Sequence, residues 1–292
     1  MSGYRPGGRP PAGRPPHPRV VELAHATWTE VASLPPERTV VCLAVGPMEE
    51  HGPHLPFGTD VVNAETMQER LVSALVEHGY HALVCPTLPY GTAPLAREFP
   101  GSVSVRREHL AAFVGDVLAS FARNGLPWIV VTSCHIDPPF IRALDEACQA
   151  VNEQEGARAL HGYEALILRD LLEGDPAELW GEEARDDVHA GLIETSYLLA
   201  VRPELVRLEE ARRLPPVPVS FRGLQRLRSF RQLGEGLGYT GRPGAASPEA
   251  GRIWWERYTA AYVDAVLRHL QGEDVSGLLH WTPGPRAGER GA

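Results

Sequence analysis

The chain has 292 residues, 43% of them hydrophobic and 22% charged, a globular composition with room for one large α/β domain or two small ones. A formal net charge of −9, from 28 basic against 37 acidic residues, argues against nucleic-acid binding driven by phosphate neutralisation. Every apolar run falls short of the roughly 20 residues that cross a bilayer. Four cysteines, Cys42, Cys85, Cys134 and Cys148, form no CxxC pair and read as reduced core thiols of a cytoplasmic protein.

Residues 1–19 are rich in Pro, Gly and Arg with no apolar segment following, so a disordered tail is expected rather than a secretory signal. "RTVVCLAVGP" (38–47) is a β-branched run that ends in Gly-Pro and reads as a buried strand. In 60–80, Val62, Met67, Leu71, Leu75 and Val76 recur at helical spacing, with Gly79 as a stop. "HALVCPTLPYG" (81–91) predicts a second strand, 107–125 a helix closed by Asn-Gly, and "PWIVVTSCH" (127–135) a third strand. A helix over 140–156 follows, then a possible fourth strand over 157–166. Residues 189–206 and 247–271 read as two further helices, with Ser247 near the cap of the second. Between them, 207–246 lacks periodicity, and so long a loop is usually functional, an arm, or disordered. The alternation of strands and helices predicts a mainly parallel sheet covered on both faces, in one domain over 20–275 with a flexible tail over 276–292.

That order places two unusual loops. "VGPMEEHGPHLPFGTD" (45–60) follows the first strand and "SCHIDPP" (133–139) the third, and in open α/β sheets binding sites gather beyond the carboxyl ends of the strands. Glu49 and His51 are two apart, as are His135 and Asp137, and on extended chain such pairs point to one side. With Asp60 they supply three carboxylates and two imidazoles, a set that suits Zn²⁺, Mn²⁺ or Fe²⁺ and exceeds what one open catalytic ion needs. Two ions sharing a carboxylate would use all five groups. Spacing alone leaves a polar surface loop equally open. His189 and Glu194, five apart around a helix start, could border the same cleft, or be an ordinary helix-start residue and a surface charge.

The quoted 45–60 stretch resembles the signature of the creatininase family of metal-dependent amidohydrolases, whose usual form is close to "PVGSxEQHGPHLPxxTD". "TWTEVASLP" (27–35) is similar to the family's opening helix, "FPGSVSV" (99–105) to its "FPGTISL", and "HAGLIETS" (189–196) to its "HAGxxETS". "GRPGAASPEAGR" (241–252) resembles a late segment, so the likeness spans roughly residues 25–270. The resemblance implies a three-layer α/β sandwich with a largely parallel sheet, often assembled as a homo-oligomeric hexamer. It implies that Glu49 and His51 each hold one of two ions, that Asp60 bridges both, and that His135 completes the site at the ion of Glu49. Asp137 falls where creatinine-hydrolysing members carry a glutamate ligand, His189 on the histidine thought to donate a proton, and Glu194 on a supporting or occasional ligand carboxylate. Two departures stand where substrate is expected: "SCHIDPP" replaces the usual "NGHGGN" or "NGHYEN", and Ala96 stands in place of a histidine before "FPG".

The expected function is therefore hydrolysis of a C–N amide-type bond other than a peptide bond, cyclic or linear, in a small molecule, by a hydroxide bridging two divalent ions. Family relatives suggest a formamide deformylase, a peptide-trimming peptidase or an oxidised-inositol ring hydrolase as alternatives, and a non-catalytic metal-binding partner in a biosynthetic complex is another. No nucleic-acid or membrane partner is expected. Cys134, beside His135 but with no neighbouring base, reads as a buried unreactive thiol. The arginine-rich stretch 221–231 is either a solvated or intersubunit loop or a clamp for an anionic substrate. Trp254 and Trp255, adjacent on the last helix, are not expected to face one core together.

Overall fold

Five short parallel strands in the order β1-β3-β2-β4-β5 form the middle layer of the protein, whose computed structural model describes residues 17–279 apart from 225. In chain order the elements are β1 (Val20–Glu22), α1 (Trp28–Ala32), β2 (Thr39–Ala44), α2 (Thr59–Glu77), β3 (His81–Val84), α3 (Arg107–Arg123) and β4 (Trp128–Thr132). There follow α4 (Pro138–Glu155), β5 (Arg158–Leu160), α5 (Tyr163–Glu173), α6 (Pro176–Trp180), α7 (Leu192–Val201), α8 (Leu208–Ala211), α9 (Phe221–Leu224), α10 (Pro248–Leu270) and α11 (Ser276–Leu279). All four strand pairings are parallel.

Strand alternation divides the core into two halves. Val40, Cys42, Ala82 and Val130 face one side, against Met67, Leu71 and Leu75 of α2 and Trp255 and Tyr262 of α10. Val41, Leu43, Leu83 and Ile129 face the other, against Val114 and Leu118 of α3 and Phe140 and Leu144 of α4. Both faces of the sheet are thus covered, which is what continuous apolar strands require. At roughly 25 cal/mol per Å² of apolar surface, each fully buried Leu, Val or Phe side chain contributes on the order of 1.5–3 kcal/mol.

Several boundaries differ from the sequence expectation for definable reasons. The second strand stops at Val84, because Pro86 and Pro89 have no N–H to donate to a ladder; beyond it only the bridges Val45↔Leu88 and Gly91↔Ser104 remain. The run 157–166 is strand only to Leu160; Gly162, at φ +131, turns the chain into α5. Edge strand β1 was not anticipated, being three residues long and only partly buried. Trp254 and Trp255 both lie in one core, packed edge-on and tilted against Tyr197 with ring centroids 6.3 Å and 4.6 Å away. Helix α10 packs against α7, α2 and α5 together, so more than one face of it is covered. At Gly251 a Cβ would lie 1.9 Å from the carbonyl oxygen of Ser196, so the α7–α10 approach requires glycine.

Of the expected N-terminal tail, residues 1–16 lie outside the described residues, while the Arg19 carbonyl already accepts from the amide of Ala82 at 3.1 Å. At the other end, Ser276–Leu279 form α11 with Leu279 buried against α5, and residues 280–292 lie outside the described residues. No helix among the described residues is long and apolar enough to cross a membrane.

One buried charge cluster supports the layers on the β5 side. His161 Nε2 lies 2.7 Å from Asp145 Oδ1, and its Nδ1 3.9 Å from Oε2 of the buried Glu164. Burial works to lower the imidazole pKa, but the hydrogen bond to Asp145 and the nearby Glu164 carboxylate outweigh it and push the value up to about 9. Folded-state protonation therefore outlasts the ordinary value of 6.5. The stabilisation is complete below that pH and is lost as pH rises through about 9. Unfolding free energies followed from pH 6 to 10 should fall by about 1–3 kcal/mol more in the wild type than in His161→Gln. Parallel curves for the two proteins would remove this assignment.

Candidate metal centre

Strand order reverses between β2 and β4: the chain leaves β2 for β3 on one side, then returns past β2 to β4 on the other. The loops that follow these two strands diverge and leave a crevice between them, the usual ligand position in such sheets. The loop after β2 is fixed by Glu49 N–H donating to the Phe57 carbonyl (3.0 Å) and Glu50 N–H to Ser102 Oγ (2.9 Å), with Gly52 at φ +64 making the turn. This brings Glu49, Glu50 and His51 into the interior, each at most 4% exposed. Asp60, 1% exposed, stands in the first turn of α2, where the helix N-terminus favours negative charge. His135 arrives from the loop after β4 and is also buried.

The two oxygens of Asp60 face different groups. Oδ2 lies 3.3 Å from His135 Nδ1, which is itself 3.2 Å from Glu49 Oε2. Oδ1 lies 3.6 Å from His51 Nε2, which is 3.7 Å from Glu194 Oε2. Both imidazoles are oriented by their far nitrogens: His51 Nδ1 meets the Glu49 carbonyl at 3.1 Å and His135 Nε2 the Thr92 carbonyl at 3.2 Å. Donation to those carbonyls leaves His51 Nε2 and His135 Nδ1 as the ligand atoms, the arrangement common at metal-binding histidines. Glu49 Oε2, His51 Nε2 and Asp60 Oδ2 are buried with no hydrogen-bond partner among the described residues. Unpaired buried groups of this kind are costly, and a shared cation would satisfy them.

Three clusters that could hold an ion follow among the described residues: Glu49/Asp60/His135, His51/Asp60/Glu194 and Glu49/His51/His189. The donor set is nitrogen and carboxylate oxygen throughout, which fits Zn²⁺, Mn²⁺ or Fe²⁺. Electrostatics follow the geometry. Burial pushes the Glu49 carboxyl up to about 7. Burial also opposes charge on Asp60, but the His135 and His51 cations prevail and hold it well below the usual carboxylate range. Against the same burial penalty, Glu49 and Asp60 push His135 up to about 10, and Asp60 and Glu194 hold His51 well above its ordinary value. Protons thus stand where cations would, so metal loading releases protons and weakens as pH falls.

The sequence leaves both Asp137 and Glu194 open as the last ligand, and the geometry separates them. Asp137 precedes α4, outside all three clusters, and burial pushes its carboxyl up to about 6. Glu194 occupies the second cluster instead. It accepts a 2.5 Å hydrogen bond from the amide of Ala190, which sits at φ +51, a region costly for a residue with a Cβ. The start of α7 is held by Asp187, which accepts from Ile193 N–H at 3.1 Å and whose carboxyl burial pushes up to about 8. Cys134 is buried, and burial raises its thiol pKa well above the ordinary value, as an inert core thiol requires.

His189 lies beside the centre, its ring centroid 4.7 Å from that of His51 and stacked at 4.1 Å on Phe230. Its backbone N–H donates to Thr240 Oγ1 at 2.9 Å, and its Nε2 is 3.0 Å from the Glu50 carbonyl and 3.4 Å from Glu50 Oε1. Glu50 escaped the sequence analysis; it is buried and meets His189, which also borders Glu49 and His51. Gly238, at φ +75, makes room for it: a Cβ there would lie 2.4 Å from both Glu50 oxygens. His54 was also missed. It is fully buried against Thr195 Oγ1 at 2.9 Å, and burial, with help from the His51 charge, pushes its pKa down to about 3, so it serves as a neutral strut. A cavity of about 230 Å³ opens over Glu50 and His51, walled by Leu55, Phe57, Phe99, Arg231 and Leu237.

Fold and site together describe a layered α/β protein with a buried carboxylate–histidine centre suited to divalent metal. The creatininase family model, described as creatinine amidohydrolase, matches residues 24–266, and the chain belongs to that family. It is 28% identical over 281 residues to a mycofactocin precursor peptide peptidase of Mycobacterium ulcerans (strain Agy99), covering 92% of this chain and 96% of that protein. It is 28% identical over 211 residues to a creatinine amidohydrolase of Pseudomonas putida, covering 67% of this chain and 77% of that protein. Among solved structures, a putative creatinine amidohydrolase from Bacteroides fragilis NCTC 9343 superposes with TM-score 0.67 at 23% identity, over 87% of this chain and 98% of the other. The manganese form of creatininase superposes with TM-score 0.62 at 24% identity, over 86% and 99% of the two chains.

Proposed function

We propose that the protein hydrolyses a C–N amide-type bond, cyclic or linear, in a small molecule, with two divalent ions held by Glu49, Asp60 and His135 on one side and His51, Asp60 and Glu194 on the other. The observation that carries this reading is the division of the two Asp60 oxygens between those groups. Two bound cations would supply Lewis acidity at the carbonyl and lower the pKa of water from 15.7 towards about 7. Asp137, half-buried beside the centre but outside its clusters, takes the proton of the attacking water. His189 gives a proton to the departing nitrogen. A C–O bond forms, the C–N bond breaks, and acid and amine leave.

A second reading, trimming of a short peptide, is favoured by the nearly end-to-end match to the Mycobacterium ulcerans peptidase, against the partial match to the Pseudomonas putida enzyme. The same groups would serve either carbonyl. Protein loaded with Mn²⁺ or Zn²⁺ should hydrolyse at least one member of a panel of creatinine, N-formyl amines and short peptides. Chelation should abolish that turnover and readdition of either ion restore it. Turnover indifferent to chelation, or none across the panel with both ions bound, would defeat the proposal.

A further inference from the structure

We propose that Arg231 binds a carboxylate on the substrate, so that this site selects amides carrying one negative charge at a distance from the scissile bond. The inference rests on the hydrolytic reading only in taking the cavity over His51 as the place where substrate sits.

Arg231 belongs to the single 3-10 turn Phe230–Gln232, closed by reciprocal capping between Ser229 and Gln232, with Ser229 and Phe230 both buried. The turn is therefore fixed, and Phe230 ties it to His189 by stacking. The next residue, Arg231, lays its guanidinium carbon 4.1 Å from the centre of the Phe99 ring. Its Nη1 donates to the Gly236 carbonyl at 3.2 Å and its Nη2 to the Glu98 carbonyl at 3.5 Å. Those partners are neutral, and among the described residues no carboxylate lies within ion-pair distance of it. Several other surface arginines are ion-paired, Arg123 with Glu155, Arg185 with Asp175 and Glu182, and Arg242 with Glu183, whereas among the described residues Arg97 and Arg106, like Arg231, are not.

An exposed arginine is most often merely solvated. This one differs because two carbonyls and an aromatic face hold it in place, so little side-chain entropy remains to be lost on binding, and the planar fork keeps donors free for a carboxylate. The cavity supplies the rest. Its walls are otherwise mainly apolar, and its one acidic liner, Glu50, is already engaged by the Gly52 amide at 2.9 Å and by His189. One guanidinium balances one negative charge. A phosphate dianion would bring a second, unmatched charge into a cavity that already contains Glu50. The shape thus fits a molecule with an amide over the metal centre at one end, a short apolar middle, and a carboxylate at the other.

The test uses the full chain loaded with Mn²⁺ and a matched pair of probes, N-acetylglycylglycine and its C-terminal amide. The wild type should prefer the acid by about 10–100-fold in kcat/KM, mostly through KM, as a charge-assisted bidentate pair predicts. Arg231→Gln should bring that ratio to about one, and Arg231→Lys, which keeps the charge but not the fork, should restore part of it. Metal content and thermal melting of each variant report that the site and fold persist. A wild-type ratio near one, or a preference that survives in Arg231→Gln, overturns the proposal. If neither probe is hydrolysed, the hydrolytic reading suffers on its own account, and dissociation constants for the same pair take over. An acid preference erased by Arg231→Gln then upholds the proposal, and equal or absent binding of the acid by wild type overturns it.

Discussion

Asp60→Asn is expected to reduce bound metal from the proposed two ions per chain to fewer than one and to abolish hydrolysis. Asparagine keeps the size of the side chain but offers one neutral oxygen in place of two charged ones. In the native geometry Oδ1 faces His51 and Glu194 while Oδ2 faces Glu49 and His135, so a single carboxylate serves both clusters. With two cations bound as proposed, loss of its charge would remove the anion that screens them from each other. If each ion contributes several kcal/mol of transition-state stabilisation, turnover falls on the order of 10³-fold or more. Glu49→Gln, by contrast, leaves the cluster of His51, Asp60 and Glu194 intact and should cost one ion. The metal-free protein is affected as well, because Asp60 is a principal partner of the buried His51 and His135 cations; breaking such a network typically costs roughly 3–5 kcal/mol. Elemental analysis after dialysis against a small excess of Mn²⁺ separates the cases. Two equivalents retained by Asp60→Asn would show that the ions, if present, are not shared through this residue.

Much of that arrangement was legible before the fold was known, and the reason is local. β2 and β4 are apolar runs with no break, and the ligand-rich loops begin where those runs end, so crevice and ligands could be placed together. The helical spacing of Met67, Leu71 and Leu75 is what buries α2 and points Asp60 inward from its first turn. Glu49 and His51, two residues apart, lie together in one cluster with His189. The pairing of His135 with Asp137 does not bring both into one cluster, because Pro138 opens α4 directly after Asp137 and the chain changes direction there. What was not legible depends on long-range contact. Glu194 reaches His51 across 143 residues of sequence through the strained Ala190 turn, and nothing in its own neighbourhood separates a ligand from a surface charge. The stretch 207–246 offered no periodicity, yet Phe230, Arg231, Gly238 and Thr240 all come from it to shape the ground around His189. Their roles consist of single contacts with other elements, which no repeat in the sequence encodes.

His189→Gln should reduce kcat by about 10²–10⁴-fold, the range for loss of a positioned general acid, while leaving both ions bound. Burial works to lower the imidazole pKa, but the hydrogen bond to Glu50 outweighs it and holds the value above the ordinary 6.5. The ring therefore keeps its proton to higher pH than an ordinary imidazole would, and that proton is what a departing amine needs. The sign of the pH dependence follows: as pH rises through that pKa the proton is lost, so wild-type kcat/KM should fall on the alkaline side, and this limb should be missing in His189→Gln. Glutamine is the better replacement because it fills much of the space against Phe230 and can still meet the Glu50 carbonyl, so the floor of the cavity is kept. Two measurements separate the possible roles, since His189 also belongs to the cluster of Glu49 and His51. Loss of one ion in the variant would make it a ligand rather than an acid. Unchanged turnover with both ions present would leave the leaving nitrogen to take its proton from water, and the stacking of Phe230 on His189 would then be packing alone.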